Sequence, residues 1–246
     1  MLKIIRNVIL CGVVLCPVVI QAQSSQGFEK VTGLKVYRKY ITARKDSFIM
    51  KVAHKKTGSW QWTVQPQGKQ VIFNDVSILD GKVREDAEVI LQAASLEMTQ
   101  MNMVLKSAKS TLKAKVKAKG IHLWAKYALT QGDKERQQTI DTTLHHHWLA
   151  RPTLFGLLPF ADFKPSYSRR FFVFGLTSGK FTLMKLEVLG TTKVTVPAGT
   201  FDTYKVALKV VKGSGVSNIL YLRKKLPHFI IKVDVEGSGM TIEKVE

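Results

Sequence analysis

Residues 193–206 read KVTVPAGTFDTYKV, and this stretch decides the fold class. Two runs in which apolar and polar residues alternate flank the corner Pro197-Ala198-Gly199. Proline fixes φ near the value needed at the second position of a turn, and glycine accepts a positive φ at its end. The pattern predicts two antiparallel strands joined by a tight turn that closes on a glycine bulge.

The same alternation recurs through most of the chain. Trp60, Trp62 and Val64 alternate with polar residues at a period of two, which is typical of a half-buried strand. The pair Asp80-Gly81, which follows a predicted strand over residues 71–79, is a further hairpin signal. The sequence therefore predicts a mainly β protein, either a large curved antiparallel sheet or an open β-barrel built from hairpins.

Three segments interrupt this regular pattern. Residues 86–98 fit either a helix or a strand, and the neighbouring hairpins favour the strand. Residues 84–86, Arg-Glu-Asp, are expected in a loop. One short helix is expected near residues 145–156, where Pro152 would break it.

Residues 112–119 give the most regular pattern in the chain. Apolar residues at the even positions alternate with Lys113, Lys115, Lys117 and Lys119. Because side chains of a strand alternate between its two faces, the four lysines are expected to share one face. We interpret that face as solvated or as a guard against edge-to-edge pairing, with an anion-binding stripe as the alternative.

The N-terminus has the features of a secretory signal peptide. Lys3 and Arg6 form a positive region, an apolar run follows, and Ala22 supplies the small residue before the cleavage site. The apolar run is shorter than the roughly 20 residues that a spanning helix needs, which disfavours a retained anchor. We predict a signal peptide over residues 1–22 and a single β-rich domain over residues 23–246.

Cysteine content and charge limit the chemistry of the predicted mature domain. Cys11 and Cys16 both lie in the signal segment, so the mature domain has no disulfide and no thiolate. The net charge is +20, and removal of Lys3 and Arg6 leaves +18. Export disfavours nucleic acid as a partner, whereas an anionic envelope surface fits. The simpler interpretation is that the charge only solubilises the outer face of a sheet.

Motifs for catalysis and metal binding are absent or poorly placed. The chain lacks G-x-S-x-G, H-E-x-x-H and a phosphate-binding glycine loop. Ser110–Lys113 fits S-x-x-K, but that serine should begin a helix, whereas Lys113 begins the alternating lysines. His145, His146 and His147 are consecutive, so they cannot easily share one ion. We expect no enzyme activity, no metal and no cofactor.

Several segments together resemble the exported bacterial family known as domain of unknown function 3108. Its members pair a turn like Val196–Phe201 with a final strand that begins with proline and histidine. The segments that carry the resemblance are Ala93–Met98, Leu149–Phe160, Val196–Phe201, and Leu220–Arg223 with Pro227–Lys232. They span residues 30–240 in outline, and the C-terminal third is the most specific.

The resemblance implies a β-rich fold, similar to lipoprotein carriers in which a curved sheet holds an apolar cavity. It also implies a location in the periplasm or cell envelope of a Gram-negative bacterium. The family has no agreed activity, so the resemblance assigns no catalytic residues.

The abundance of apolar positions predicts a function in binding. A curved sheet with more apolar positions than one short helix can cover is expected to bind a lipid or another apolar ligand. The side chains expected to line that site are Trp60, Trp62, Met98, Trp124, Phe172 and Phe174. The alternative is a structural or assembly factor that holds an envelope protein or an anionic surface through Lys113, Lys115, Lys117 and Lys119. Pro197 and Gly199 are expected to have a structural role in the turn.

Overall fold

The computed structural model describes residues 34–245, and the predicted signal peptide with its cleavage after Ala22 lies outside them. Within this range the chain forms fifteen strands and one short α-helix. The first eight strands are β1 (Arg44–Val52), β2 (Lys55–Gln67), β3 (Gln70–Leu79), β4 (Val83–Gln92), β5 (Met98–Lys106), β6 (Ser110–Lys119), β7 (His122–Gln131) and β8 (Lys134–Thr143). The remaining elements are β9 (Trp148–Ala150), α1 (Arg151–Leu157), β10 (Ser168–Gly175), β11 (Lys180–Val196), β12 (Gly199–Lys212), β13 (Asn218–Arg223), β14 (Ile230–Val235) and β15 (Met240–Lys244).

All the strands belong to one sheet, in the spatial order β8-β7-β6-β5-β4-β3-β2-β1-β15-β14-β13-β12-β11-β10-β9. Neighbouring strands are antiparallel, except that β9 and β10 pair in parallel. Near the middle of the sheet β1 pairs with β15, where Lys51 lies opposite Thr241. The expected large antiparallel sheet is confirmed, and β8 and β9 are its two unpaired edges.

The two edges of the sheet come close to each other. β8 ends at Thr143 and β9 begins at Trp148, so a short link joins the terminal strands. A Cβ atom on Gly179, in the turn between β10 and β11, would lie 3.2 Å from Cδ1 of Ile140 on β8. It would lie 3.7 Å from the hydroxyl of Tyr127 on β7. Because these strands lie at opposite ends of the sheet, the sheet curls into an open barrel.

The inner face of the curled sheet carries the core. Val64 on β2, Phe73 on β3 and Met101 on β5 are fully buried, as are Leu186 on β11 and Leu220 on β13. These side chains belong to one apolar cluster that includes both halves of the strand order. Burial of each large apolar side chain contributes about 1.5–3 kcal/mol, so the two halves stabilise each other through this cluster.

α1 lies inside the curl of the sheet, with every residue from Pro152 to Leu157 buried. A Cβ atom on Gly156 would lie 2.5 Å from Cδ2 of Phe73 and 2.7 Å from Cζ2 of Trp62, so only glycine permits this approach. The short helix is confirmed, but it begins later than expected, because residues 148–150 form β9. Pro152 lies in the first turn, where its missing N–H costs no hydrogen bond, and therefore does not break the helix.

The hairpin quoted at the outset is present, with Pro197-Ala198 joining β11 to β12. Gly199 has a φ of +122°, which confirms the requirement for glycine. Val196 pairs directly with Gly199, and the irregularities of this strand pair lie at residues 183–184 and 188–190. The expected bulge at the turn is therefore wrong.

The bounds of β4 test the predictions made for residues 84–86 and for residues 86–98. Residues 84–86 belong to this strand, so their assignment to a loop is wrong. The strand assignment for residues 86–98 is confirmed as far as Gln92, and a turn occupies residues 93–97. Leu96 has a φ of +59° in that turn, which ends the alternation.

Candidate functional site

A cavity of about 330 Å³ lies at one end of the curled sheet, where β4 ends and β5 begins. Its walls come from the turn between these strands, from the end of β6, and from β9, β10 and the last residue of α1. We call it the apolar cavity, after the side chains that form its walls: Leu96, Met98, Leu149, Leu157, Phe171 and Phe172.

The polar groups of the apolar cavity stand at its rim. Arg38, Ser95, Glu97 and His147 line it, and all four residues are exposed. In contrast, Met98, Leu157 and Phe171 are buried. An apolar interior with a few polar groups at the mouth is typical of sites that bind small molecules.

A second cavity, of about 80 Å³, lies toward the opposite ends of β3 and β4. We call it the acidic cavity, defined by Asp75, Ser77, Glu85 and Arg151. Trp60 and Phe155 also line it. α1 contributes to both cavities, because its first residue lines the acidic cavity and its last residue lines the apolar one.

The strand register explains why the carboxyl groups point inward. Asp75 and Ser77 share one face of β3 with Phe73, which is fully buried. Glu85 on β4 lies directly opposite Ser77, and Ala87 lies opposite Asp75. Because side chains at every second position share a face, Asp75 and Glu85 are diagonal neighbours on the inner face of one hairpin.

Asp75 has one strong hydrogen-bond partner. The indole Nε1–H of Trp60 donates to Oδ1 of Asp75 at 2.6 Å. Burial raises the pKa of Asp75 to about 7, and the nearby charge of Glu85 acts in the same direction. The hydrogen bond from Trp60 and the charge of Arg151 oppose that rise in pKa. Asp75 is therefore about half protonated at neutral pH.

Glu85 lacks such a partner. Among residues 34–245, no side chain donates a hydrogen bond to its carboxylate or forms an ion pair with it. Burial raises the pKa of Glu85, while the charge of Arg151 lowers it. Both carboxyl groups keep some accessible surface because the cavity reaches them. Protein atoms nevertheless enclose both groups closely, so burial is the largest cause of each raised pKa.

The six side chains expected to line one ligand site are spread over several environments. Met98 and Phe172 line the apolar cavity, and Trp60 lines the acidic one. Trp62 and Phe174 are packed in the core and line neither cavity. Trp124 also lines neither, because its neighbours on β7, Leu123 and Ala125, are the inward residues. Trp124 therefore lies on the outer face of the sheet.

The four lysines of β6 share the outer face, as expected. Lys113, Lys115, Lys117 and Lys119 are all exposed. Lys115 lies directly opposite the exposed Lys126 of β7, and Lys117 lies opposite Trp124. None of these lysines lies within 4.0 Å of a carboxylate oxygen in the described part of the chain. We call this group of five lysines the basic face.

Two kinds of feature do not occur in the described range. Between residues 34 and 245, no three His, Cys, Asp or Glu side chains lie close enough together to hold a metal ion. The ring of His146 instead stacks on Phe172, with 5.1 Å between the ring centres. No helix in the same range has the length and apolar character needed to cross a membrane.

The C-terminal strands identify the family. Residues 109–243, which run from the start of β6 into β15, match the family described as protein of unknown function (DUF3108). The match covers more than half of the 246 residues. The chain belongs to this family. Of the segments that carry the DUF3108 resemblance, Ala93–Met98 lies outside the matched residues and the others lie within them.

The DUF3108 chain also resembles a protein of known structure. That structure is a crystal structure of a beta-barrel-like protein of domain of unknown function DUF1849 from Brucella abortus. The TM-score is 0.55 at 8% sequence identity, and the alignment covers 86% of this chain and 96% of that chain. At this identity the likeness concerns the fold alone, and it agrees with the open barrel. No curated protein matches the DUF3108 chain.

The acidic cavity was missed in the sequence of this DUF3108 chain, although a signal was present. Val71, Phe73, Asp75, Ser77 and Leu79 occupy alternate positions, so an acid and a hydroxyl interrupt an otherwise apolar face. Polar groups at inward positions of a strand are costly unless they have a partner or a role. Glu85 lies opposite Ser77 on β4, but the prediction of a loop at residues 84–86 left it out of this face.

Proposed function

We propose that this protein is a non-enzymatic, exported envelope protein that binds one lipid chain or another apolar small molecule in the apolar cavity. The observation that carries the proposal is the apolar wall that Met98, Leu157 and Phe171 form beneath an exposed polar rim. Transfer of apolar ligand surface from water to such a wall is favourable by about 25 cal/mol per Å².

The size of the apolar cavity limits the ligand. Its volume of about 330 Å³ is at the lower end of the range of about 300–1,000 Å³ for small-molecule sites. That space suits one acyl segment or a small apolar molecule, and not a complete lipid with two chains. The ligand class is therefore a molecule with a single apolar chain or a compact apolar body.

The rim of the apolar cavity favours a ligand with an acidic head group. Arg38 and His147 supply hydrogen-bond donors at the mouth, and Glu97 is the acidic residue beside them. An arginine side chain forms strong, charge-assisted hydrogen bonds with a carboxylate or phosphate group. A fatty acid places its acid at this rim and its chain against Met98.

The cellular location is part of the proposal. The positive region, apolar run and small residue within residues 1–22 are the pattern of a secretory signal. An exported protein that shelters an apolar molecule is useful in the aqueous part of a cell envelope, because such molecules dissolve poorly in water. The proposed place of action is the periplasm or cell envelope of a Gram-negative bacterium.

Binding of a dansyl-labelled undecanoic acid, followed by its fluorescence, tests the proposal. Ala118→Trp fills the apolar cavity from β6 and is expected to weaken binding by about tenfold or more, which corresponds to about 1.4 kcal/mol. The matched control is Ala128→Trp, which places the same bulk on the outer face of β7 and is expected to leave binding unchanged. A wild-type protein that ignores the probe, and that carries no lipid when purified from its native host, would contradict the proposal.

The basic face supports a second candidate, a structural or assembly factor that holds an envelope protein or an anionic surface. Its support is the pair Lys115 and Lys126, because like charges directly opposite each other destabilise a sheet. An envelope protein that co-purifies only while Lys113, Lys115, Lys117 and Lys119 are present, and is lost when they are changed to Glu, would favour this candidate over ligand binding.

A further inference from the structure

The acidic cavity contains more negative charge than its own residues balance. Asp75 and Glu85 both line it, and Arg151 is the one cationic side chain among the lining residues. Two ionised carboxylates and one guanidinium leave one negative charge without a counter-ion. Burial makes such an uncompensated charge costly. The cavity therefore requires one further cation whenever both acids are ionised.

Glu85 identifies the place where that cation would lie. Its side chain is closely enclosed by protein, lines the cavity, and has neither a hydrogen-bond donor nor an ion-pair partner among residues 34–245. Arg151 does not fill this role, because its exposed guanidinium lies over the ring of Phe155, 5.1 Å from the ring centre. The unpartnered carboxylate is thus an acceptor that faces the cavity.

In the unliganded protein a proton can serve as this cation. Burial and the charge of Glu85 raise the pKa of Asp75 to about 7, so Asp75 holds a proton for about half of the time at neutral pH. A cation that binds between the two acids would release this proton to solvent. Cation binding and deprotonation of Asp75 are therefore coupled.

The remaining walls suit an organic cation. Trp60 and Phe155 present aromatic rings to the cavity, and aromatic faces attract ammonium groups. Met50, Val233 and Ile242 add apolar surface beside them. The volume of about 80 Å³ is several times the minimum of about 10–15 Å³ that one water needs, so it admits a group of only a few heavy atoms. Among residues 34–245, no third acid, histidine or cysteine joins these two acids in a group that could hold a metal ion.

We propose that the acidic cavity binds the primary ammonium group of a small organic amine between Asp75 and Glu85, in exchange for one proton. The N–H groups of the ammonium donate to the two carboxylates, and its carbon chain contacts the apolar wall. The site is independent of the apolar cavity, because it lies at the other end of β3 and β4. Loss of fatty-acid binding would leave this proposal unaffected.

The indole N–H of Trp60 is a built-in reporter of the site, because it donates to Asp75. Methylammonium chloride is the probe, and the four tryptophan indole signals are followed by NMR, with Trp60→Phe identifying the relevant signal. We expect a saturable shift of the Trp60 signal, with binding about tenfold tighter at pH 8 than at pH 6. Methanol, which has the same size but no charge, is expected to cause no saturable shift.

Three substitutions separate binding from structure. Glu85→Gln is expected to weaken methylammonium binding by about tenfold or more, because it removes the unpartnered charge. Glu88→Gln, the same change on the outer face of β4, is the matched control and is expected to have no effect. Arg151→Gln is expected to strengthen binding at pH 8, because it removes a nearby positive charge that repels the ammonium group.

Three outcomes of these measurements would overturn the proposal. These are the absence of a saturable shift at pH 8, an equal response to methanol, or a Glu85→Gln protein that binds as tightly as wild type. Weaker binding in Arg151→Gln would also overturn it, because a purely structural ion-pair network predicts that loss. Arg151 is exposed, so its replacement tests the site without removing a buried partner.

Discussion

Asp75 stands at an inward position of β3, where the alternation otherwise places apolar side chains. Its carboxyl group accepts a hydrogen bond from Trp60 at 2.6 Å, yet burial raises its pKa to about 7. An acid with a higher pKa in the folded than in the unfolded state binds more protons when the protein is folded. Stability is therefore lost as the pH rises from about 4 to about 7.

The pH dependence of stability tests this assignment. We expect the free energy of unfolding of the wild type to fall between about pH 4 and pH 7, relative to Asp75→Asn, and then to level off. The change of pKa from 3.8 to about 7 corresponds to at most about 4 kcal/mol. Urea unfolding of both proteins at a series of pH values measures it. Parallel profiles for the two proteins would show that Asp75 titrates normally.

The alternation of apolar and polar residues predicted well which side chains of a strand point inward, but it predicted poorly which of them line a cavity. Alternation placed Lys113 outward and Trp62 inward, and both placements agree with the structure. The prediction that Trp124 lines the ligand site was wrong, because Leu123 and Ala125 are the inward residues of this strand and Trp124 lies on the opposite face. The apolar cavity joins Met98 to Phe172, and no local pattern reports that two such distant strands face one space.

α1 shows what tertiary packing adds at the level of an element. Its seven residues are too few for a helix that is stable alone, so its stability comes from burial against the sheet. The sequence indicated a helix here but misplaced its start, because β9 depends on a parallel pairing with β10. Local propensity carries no information about such a pairing.

Gly156 makes the packing of α1 testable. Gly156→Val would place new carbon atoms within 2.5 Å of Phe73, so we expect a loss of about 1–3 kcal/mol through displaced rings. Thermal or urea unfolding measures this loss. The matched control is Thr153→Val on the same helix, which removes a buried hydroxyl that has no partner and is expected to be neutral or stabilising. A Gly156→Val protein as stable as wild type would refute the close contact.

The whole molecule is joined where β1 meets β15. Nζ of Lys244 donates to Oδ1 of Asp46 at 2.6 Å, and Arg44 also pairs with Asp46. The guanidinium groups of Arg44 and Arg223 lie 4.3 and 4.1 Å from the ring centre of Phe229. A carboxylate between two mostly buried cations thus links the N-terminal half of the strand order to the C-terminal half.

Removal of this carboxylate should affect the entire fold. We expect Asp46→Ala to cost about 3–5 kcal/mol, because it removes a buried carboxylate that pairs with both Arg44 and Lys244. Asp141→Ala removes an exposed carboxylate from β8 and is expected to cost less than about 1 kcal/mol. Urea unfolding of the two variants compares them. Similar losses would mean that the junction does not depend on its ion pairs.

The order of strands along the chain has a consequence for folding kinetics. If the chain is followed from β9 through β15 and then from β1 to β8, the order in sequence equals the order in space. Each pairing thus joins consecutive strands, except that of β1 with β15, in which Lys51 meets Thr241. Local pairings form faster than distant ones. The ladder from β1 to β8 and the ladder from β9 to β15 can therefore form separately. The pairing of β1 with β15 then joins them, and this step closes the longest loop.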